Sequence, residues 1–185
     1  MDMRAFIAVN LPELIMEDIA QFIGECGKHQ IDGINYVPAA NIHITLKFLG
    51  DIEEDDLESI SAELAGLKWK PTRIKTEGIG GFPDLPGARV LWIGLKSNPE
   101  LVEIQSRIEE ICRSFGIPPE EKSFKPHLTI ARIKGKIGSK LLNFFKEFPR
   151  KTFGGFIPDG FHLFQSKLSP SGPSYKVIRS FKKGG

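Results

Sequence analysis

Two short stretches of this chain share one pattern: His43-Ile44-Thr45-Leu46-Lys47-Phe48 and His127-Leu128-Thr129-Ile130-Ala131-Arg132, 84 positions apart. Each reads histidine, apolar, threonine, apolar. The chain has five threonines and four histidines in 185 residues, so about 0.1 H-x-T pairs are expected by chance. Two copies in matching apolar surroundings therefore predict a repeated functional element.

The spacing within each copy predicts a strand with one polar face. Side chains alternate along a strand, so His43 and Thr45 share one face while Ile44 and Leu46 share the other. The same holds for the second copy. A lone histidine on a strand is more often structural than catalytic, but two His-Thr pairs would need two independent structural reasons. We therefore expect the two histidines and two threonines to meet across a cleft.

Apolar runs and turn residues around the motifs predict a chain of mixed helices and strands. Strands are expected at Arg4–Val9, Tyr36–Val37, Ile42–Leu49 (ended by Gly50), Arg73–Ile79, Ala88–Leu95, His127–Ile133, Phe153–Ile157, Phe161–Leu168 and Tyr175–Phe181. Helices are expected after Asn10-Leu11-Pro12, from the acidic run Glu53–Asp56, from Asn98-Pro99-Glu100 and over Ser139–Phe148. The first of these stretches predicts an N-cap with proline in the first turn.

The order of these elements indicates one α+β unit used twice. We expect residues 1–185 to form a single domain of two pseudo-symmetric lobes with internal duplication. Each lobe is an antiparallel sheet with outer helices, and the lobes face each other across a central cleft. No Gly/Ser-rich linker separates the halves.

Composition narrows the function classes. A net charge of +2 argues against a protein that grips many phosphates at once, and leaves room for a pocket that holds one or two. Cys26 and Cys112 lack C-x-x-C spacing, which favours buried reduced thiols over a disulfide framework or zinc site. The chain shows no signal-peptide pattern and no apolar run long enough for a bilayer, so the expected location is the cytoplasm, without membrane contact.

No metal or cofactor is expected from the motifs. The sequence contains no H-E-x-x-H, no H-x-H and no Asp cluster at ligand spacing, the patterns that hold metals. It also lacks a Gly-rich phosphate loop, so ATP-driven ligation is not expected.

Further site candidates carry open alternatives. Strict alternation puts Arg132 on the face opposite His127, so it reaches a bound phosphate only if the strand bulges near Ala131; otherwise it is a surface arginine. Tyr175 either caps the pocket or packs in a hairpin. Phe48 and Trp92 are candidates for base stacking. Alternation favours the core for Phe48, and packing is the favoured interpretation of both. The remaining histidines, His29 and His162, have no threonine two positions on and are not expected to act.

With these residues in view, the chain resembles the two-histidine phosphoesterases over nearly its whole length. Within them it is similar to the bacterial and archaeal RNA 2',3'-cyclic phosphodiesterases, also called 2'-5' RNA ligases. The blocks that carry the resemblance are Met3–Ala8, Asn41–Gly50, Arg89–Gly94, Lys125–Arg132 and Ser169–Tyr175.

The resemblance implies hydrolysis of 2',3'-cyclic phosphate ends of RNA to 2'-phosphomonoesters, with 2'-5' joining as the reverse chemistry. It implies that His43 is the proton donor and His127 the proton acceptor. Thr45, Thr129 and Arg132 would then bind the phosphate. The expected partners are RNA ends or nucleotides with a 2',3'-cyclic phosphate, tRNA halves among them, and the expected state is a monomer.

Acid–base chemistry by two imidazoles predicts a bell-shaped dependence of rate on pH around neutrality, since imidazole titrates near pH 7. Two alternatives stay open at this point. One is a two-histidine enzyme that acts on small cyclic nucleotides or other diesters. The other is a non-catalytic RNA-binding module, which the presence of all four motif residues argues against.

Overall fold

The computed structural model describes residues 3–28, 33–135, 137–147, 152–170 and 172–182. In this part the chain forms nine strands and four α-helices. The strands are β1 (Met3–Asn10), β2 (Ile34–Tyr36), β3 (His43–Ile52), β4 (Ile74–Phe82), β5 (Val90–Leu95), β6 (His127–Ile133), β7 (Gly155–Phe156), β8 (Gly160–Ser169) and β9 (Gly172–Lys182). The helices are α1 (Glu13–Gly27), α2 (Glu54–Ala65), α3 (Pro99–Ser114) and α4 (Ser139–Glu147).

The strands form an antiparallel arrangement in the order β7-β4-β5-β6-β3-β1-β8-β9, with β2 paired to β6 off this path. The order divides into a first lobe, β3-β1-β8-β9, and a second lobe, β7-β4-β5-β6. The lobes meet where the two motif strands lie side by side. There β3 and β6 pair at one position, Ile44 opposite Leu128, and further along β6 pairs with β2 instead. The predicted two-lobed α+β fold is confirmed.

Two helices cross between the lobes. α1 follows β1 of the first lobe, yet the ring of its Phe22 lies 5.3 Å from that of Phe153, next to β7 of the second lobe. α3 follows β5 of the second lobe, yet its Glu109 pairs with Lys47 of β3 at 2.7 Å. Each lobe thus buries its aliphatic sheet face against a helix from the other half of the chain, which holds the motif strands in a fixed relation.

Two local predictions were wrong. Asn10 does not cap α1, because β1 runs through Asn10, which pairs with His43 of β3. The residue at the N-cap of α1 is Pro12, with no side-chain cap. Gly50 does not end β3, which continues to Ile52 with Gly50 at φ +76°, a conformation that glycine adopts without strain. The helix predicted from Asn98-Pro99-Glu100 is present, and the structure shows Asn98 as its N-cap, since its Oδ1 accepts from the Leu101 N–H at 2.9 Å.

Candidate active site

The two motifs lie next to each other on one face of the sheet. Ile44 and Leu128, opposite each other, are fully buried on the helix side. Because the strands are antiparallel and side chains alternate, this register sets His43 beside Thr129 and Thr45 beside His127 on the other face. All four are half-buried. The structure therefore brings the motif quartet (His43, Thr45, His127 and Thr129) together as a diagonal pair of imidazoles and a diagonal pair of hydroxyls.

Each imidazole is oriented by the same backbone contact. Nδ1 of His43 lies 2.8 Å from the carbonyl oxygen of Asn41, and Nδ1 of His127 lies 2.7 Å from that of Lys125. A carbonyl oxygen only accepts, so Nδ1 carries the proton and donates in both rings. Nε2 of each ring is left to accept a proton when the ring is neutral, or to donate one when it is charged.

Aromatic rings enclose both imidazoles. His43 stacks on Phe6 with ring centroids 4.8 Å apart, and Tyr175 meets it edge-on at 5.4 Å. His127 meets Phe82 edge-on at 5.1 Å and lies 6.4 Å from Trp92. Burial lowers the pKa of His43 to about 4 and also lowers the pKa of His127. Both rings are therefore neutral near pH 7 when no anion is bound.

A bulge in β6 turns Arg132 towards the site. The pairing with β5 steps from Leu91 opposite Ala131 to Trp92 opposite Thr129, which leaves Ile130 as an extra residue. The alternation shifts by one at such a bulge. Ala131 is buried and Arg132 is exposed on the face that carries the motif quartet. The bulge near Ala131, which Arg132 needs in order to reach a bound phosphate, is therefore present.

A matching bulge in β3 overturns the prediction for Phe48. The pairing with β1 steps from Ile7 opposite Lys47 to Ala8 opposite Thr45, so Leu46 is extra. Lys47 therefore points inwards, 2% exposed, and Phe48 points to the quartet face, 55% exposed. Phe48 is not a core residue.

Trp92 takes an intermediate position. It is half-buried opposite Thr129, and its ring covers Gly80, leaving no space there for a Cβ. The ring is 5.3 Å from that of Phe82. Trp92 thus packs as expected, but it packs as a wall of the site beside His127.

Tyr175 comes from the β8–β9 hairpin and closes the first-lobe side. Its ring lies 5.0 Å from that of Phe6 as well as against His43. Burial raises the pKa of the Tyr175 hydroxyl, and the positive charges of Arg132 and Arg4 act to lower it. Two guanidinium groups, one from each lobe, therefore lie within electrostatic reach of this hydroxyl, which is a setting for an anion.

Several residues of the site were not predicted as site residues, although Arg4, Phe6 and Asn41 lie in the blocks that carry the family resemblance. Asn41 donates from Nδ2 to the carbonyl oxygen of Pro173 at 3.0 Å, which fastens the β8–β9 hairpin to the residue that orients His43. Phe6, Phe82 and Arg4 also belong here. The strand of Phe6 and Arg4 was predicted, while β4 runs on to Phe82 beyond its predicted end. Their places in the site depend on which strands become neighbours, and the local pattern does not decide this.

The other histidines stay outside the quartet. His162 faces the same side two strands away, opposite Ala8, with Nδ1 2.9 Å from Ser180 Oγ. His29 lies outside the described residues. Cys26 and Cys112 are free and buried as predicted, and burial raises the pKa of each thiol to about 12.

Within the described ranges, no three His, Cys, Asp or Glu side chains come together in a group that could hold a metal ion. In the same part of the chain, the helices are too short or too polar to cross a membrane.

Known proteins match this chain from end to end. A family model described as LigT-like phosphoesterase matches twice, over residues 9–92 and 93–175. The RNA 2',3'-cyclic phosphodiesterase of Archaeoglobus fulgidus is 34% identical over 180 residues, covering 97% of this chain and 100% of the relative. That of Methanocaldococcus jannaschii is 38% identical over 180 residues with the same coverage. The crystal structure of Escherichia coli LigT complexed with 3'-AMP has the same fold, with a TM-score of 0.83 and 19% identity over 100% of both chains.

Each of the two family matches contains one H-x-T motif, His43 in the first and His127 in the second. The matches together span most of the chain, and the two relatives exceed 30% identity over almost all of it. The repeated motif, the paired lobes and these matches agree. This chain belongs to the LigT-like phosphoesterase family, within the two-histidine phosphoesterases.

Proposed function

We propose that this protein hydrolyses RNA 2',3'-cyclic phosphodiester ends to 2'-phosphomonoesters, with 2'-5' joining as the reverse chemistry. The observation that carries the proposal is the pair of imidazoles, each held through Nδ1 by a backbone carbonyl. Their Nε2 atoms are thereby left for one shared substrate. The curated relatives named RNA 2',3'-cyclic phosphodiesterase support the substrate class.

The proposed mechanism uses one imidazole for each proton. Neutral His127 accepts a proton from water through Nε2, and the water oxygen attacks phosphorus. Protonated His43 donates through Nε2 to the ribose O3' as its bond to phosphorus breaks. The two rings supply both transfers, so the reaction needs no metal. The assignment of acid and base follows the family, because the two motifs are nearly equivalent.

The remaining quartet residues stabilise the phosphoryl oxygens. The Thr45 and Thr129 hydroxyls lie beside the opposite histidines and can donate to oxygens on which negative charge increases. Arg132, exposed on the same face, adds a charged donor from the second lobe. Tyr175 covers the ring of His43 and limits the access of water to the acid.

The terminal nucleotide is proposed to bind on the first-lobe side. Phe48 is 55% exposed on the quartet face, and its ring, 6.1 Å from that of Phe6, has an exposed surface for base stacking. E. coli LigT has been solved in complex with 3'-AMP, which fits a site of nucleotide size. We propose RNA ends as the substrate, tRNA halves among them, for a cytoplasmic monomer. Its residues 1–185 form a single bilobal domain built by duplication, a proposal supported by the two family matches.

The position of the phosphate in the product tests the assignment of roles. Whichever ribose oxygen receives the proton leaves, so an acid at O3' leaves a 2'-phosphomonoester. We expect the 2'-phosphate as the predominant product from an RNA oligomer that ends in a 2',3'-cyclic phosphate, measured by phosphorus NMR. A predominant 3'-phosphate would mean that O2' receives the proton. It would contradict the placement of His43 next to O3' while leaving the two-histidine mechanism standing. An uncleaved substrate would refute the proposed function.

The rate should depend on pH with the optimum of kcat/KM below pH 6.5. Burial lowers the pKa of His43 to about 4 and that of His127 below 6.5. One ring must nevertheless hold a proton, so in the free enzyme the active form is most populated at acid pH. A bound phosphate anion favours the charged imidazole, and the kcat optimum should therefore lie at higher pH. The sequence predicted a bell-shaped rate profile around neutrality. The lowered pKa values move the expected maximum of kcat/KM to acid pH.

Initial rates from pH 4 to 9 at constant ionic strength check this shift. Lowered histidine pKa values also mean that the unfolded chain binds more protons, so stability is lost as pH falls below 6.5. Tryptophan fluorescence in the same buffers must show that the protein stays folded. A kcat/KM optimum above pH 7 would contradict the lowered pKa values.

A further inference from the structure

A basic groove lies on the second lobe, apart from the motif quartet. Its volume is about 420 Å³, and its charged lining residues are Arg73, Lys75, Glu77 and Lys96. Gly154 and Gly155 line it as well. Three positive charges against one negative charge make the groove a site for an anion.

The groove shares the sheet face of His127. Gly94 pairs with His127 on the neighbouring strand, and Lys96, two residues further, projects to the same side. The Lys96 N–H donates to the carbonyl oxygen of Lys75 on the next strand at 2.8 Å. Lys75 is exposed, opposite the buried side of β4. A line across the strands therefore leads from His127 to Lys96 and then to Lys75.

The line leads away from the motif quartet across two strands. With strands about 4.8 Å apart and a rise of about 3.4 Å per residue, the Cα atoms of His127 and Lys75 are roughly 12 Å apart. The cationic side chains therefore extend away from the motif quartet along the sheet face. A substrate with phosphates beyond the cyclic one can place them along this line.

Gly155 lets two cationic side chains lie close to the groove floor. A Cβ added at Gly155 would lie 3.0 Å from Lys75 Cγ and 3.3 Å from Arg73 Nε, so these two cationic side chains lie over a residue without a side chain. Lys96 is partly neutralised by Glu77 at 3.4 Å. Within the described part of the chain, neither Arg73 nor Lys75 has a carboxylate partner within ion-pair distance.

The first lobe has no matching feature at the corresponding position. Asn10 pairs with His43 as Gly94 pairs with His127, so Pro12 stands in the place of Lys96. Lys96 thus has no lysine counterpart at the equivalent first-lobe position, which is a difference between two otherwise similar halves.

We propose that this groove binds backbone phosphates of the RNA strand that carries the cyclic end, upstream of the terminal nucleotide. The proposal rests on the proposed function and deepens it: the substrate is a single-stranded RNA end, and small cyclic nucleotides use only the quartet. Single-stranded RNA suits a shallow line of lysines and arginine, because such contacts follow the backbone without reading bases.

The test compares two substrates, an RNA pentamer ending in a 2',3'-cyclic phosphate and cytidine 2',3'-cyclic monophosphate. For the double variant Lys75→Gln/Lys96→Gln, we expect the ratio of kcat/KM for pentamer over monomer to fall about tenfold at low salt. The slope of log kcat/KM for the pentamer against log salt should also become shallower, by about 0.7 for each phosphate that the variant no longer binds.

Lys68→Gln/Lys70→Gln is the matched control. It removes the same charge from exposed lysines of a different groove, lined by α3 residues, and should keep the wild-type ratio. A ratio unchanged in the Lys75/Lys96 variant, or lowered equally in both variants, overturns the groove as an RNA site. A wild-type protein that cleaves neither substrate refutes the proposed function itself, so the two failures are distinguishable.

Discussion

Alanine in place of His43 or His127 is expected to lower turnover of a cyclic-phosphate RNA end by about two to four orders of magnitude, the usual contribution of a positioned acid or base. Each ring is fixed through Nδ1 to a backbone carbonyl, so Nε2 is held ready and little ordering is needed during the reaction. Single-turnover assays with saturating enzyme measure this loss on the chemical step.

An activated diester separates the two roles. The leaving p-nitrophenolate of bis(p-nitrophenyl) phosphate departs without a proton, so it does not need the acid. His43→Ala should therefore retain much more of its activity on this compound than on RNA, whereas His127→Ala should lose activity on both. The opposite pattern would exchange the roles of the two rings.

His162→Ala is the matched control for both variants. His162 lies on the same sheet face, half-buried, but two strands from the quartet and bonded to Ser180. We expect its turnover to stay near that of wild type, because the ring lies two strands from the reacting groups. Near-normal turnover in either motif variant, with circular dichroism showing a folded protein, would make that histidine structural.

The sequence predicted the parts of the site that local rules control. A period of two places His43 with Thr45, and His127 with Thr129, whatever the rest of the fold does. The repeat itself then indicated that the two strands belong to equivalent lobes. The bounds of β6, His127–Ile133, agree with the prediction for this reason: the alternating stretch is short, apolar and bounded by Pro126.

The positions of the bulges could not be predicted from the sequence, because a residue is extra only in relation to the strand with which its own strand pairs. Leu46 and Ile130 are ordinary aliphatic residues in an alternating pattern, and nothing in that pattern marks them as extra. The strict period therefore placed Phe48 in the core and left Arg132 undecided. Contacts between distant segments, such as Asn41 with Pro173, were missed for a related reason: they depend on strand order.

The β3 bulge turns Lys47 into the protein interior, where its ammonium group forms a buried ion pair. Its side chain is 1% exposed, and Nζ lies 2.7 Å from Glu109 Oε1 and 2.7 Å from the carbonyl oxygen of Pro118. The Glu109 side chain is 20% exposed and also accepts from the Glu120 N–H at 3.0 Å. The pair links the motif strand to α3 and to the segment that follows it.

Glu109→Ala should therefore lower the free energy of unfolding by about 3–5 kcal/mol, since it leaves the buried Lys47 ammonium without its counter-charge. Urea denaturation measures the change, as a lower midpoint at constant m-value. Glu58→Ala is the control. It removes a carboxylate from the exposed Arg179 pair, whose side chains are 41% and 62% exposed, and should change stability by no more than about 1 kcal/mol.

The double variant Lys47→Met/Glu109→Leu tests whether stability depends on the ion pair itself or on leaving one charge buried without a partner. Two apolar side chains of similar size remove both charges together, and such replacements are often neutral or stabilising. We expect this variant to recover most of the stability lost in Glu109→Ala. It should also keep turnover near wild type, because the extra residue at Leu46, and not the charge, turns Phe48 towards the quartet.

A loss below about 1 kcal/mol in Glu109→Ala would mean that water or another group compensates the ammonium. A stable double variant with strongly reduced turnover would instead assign the ion pair a part in shaping the site.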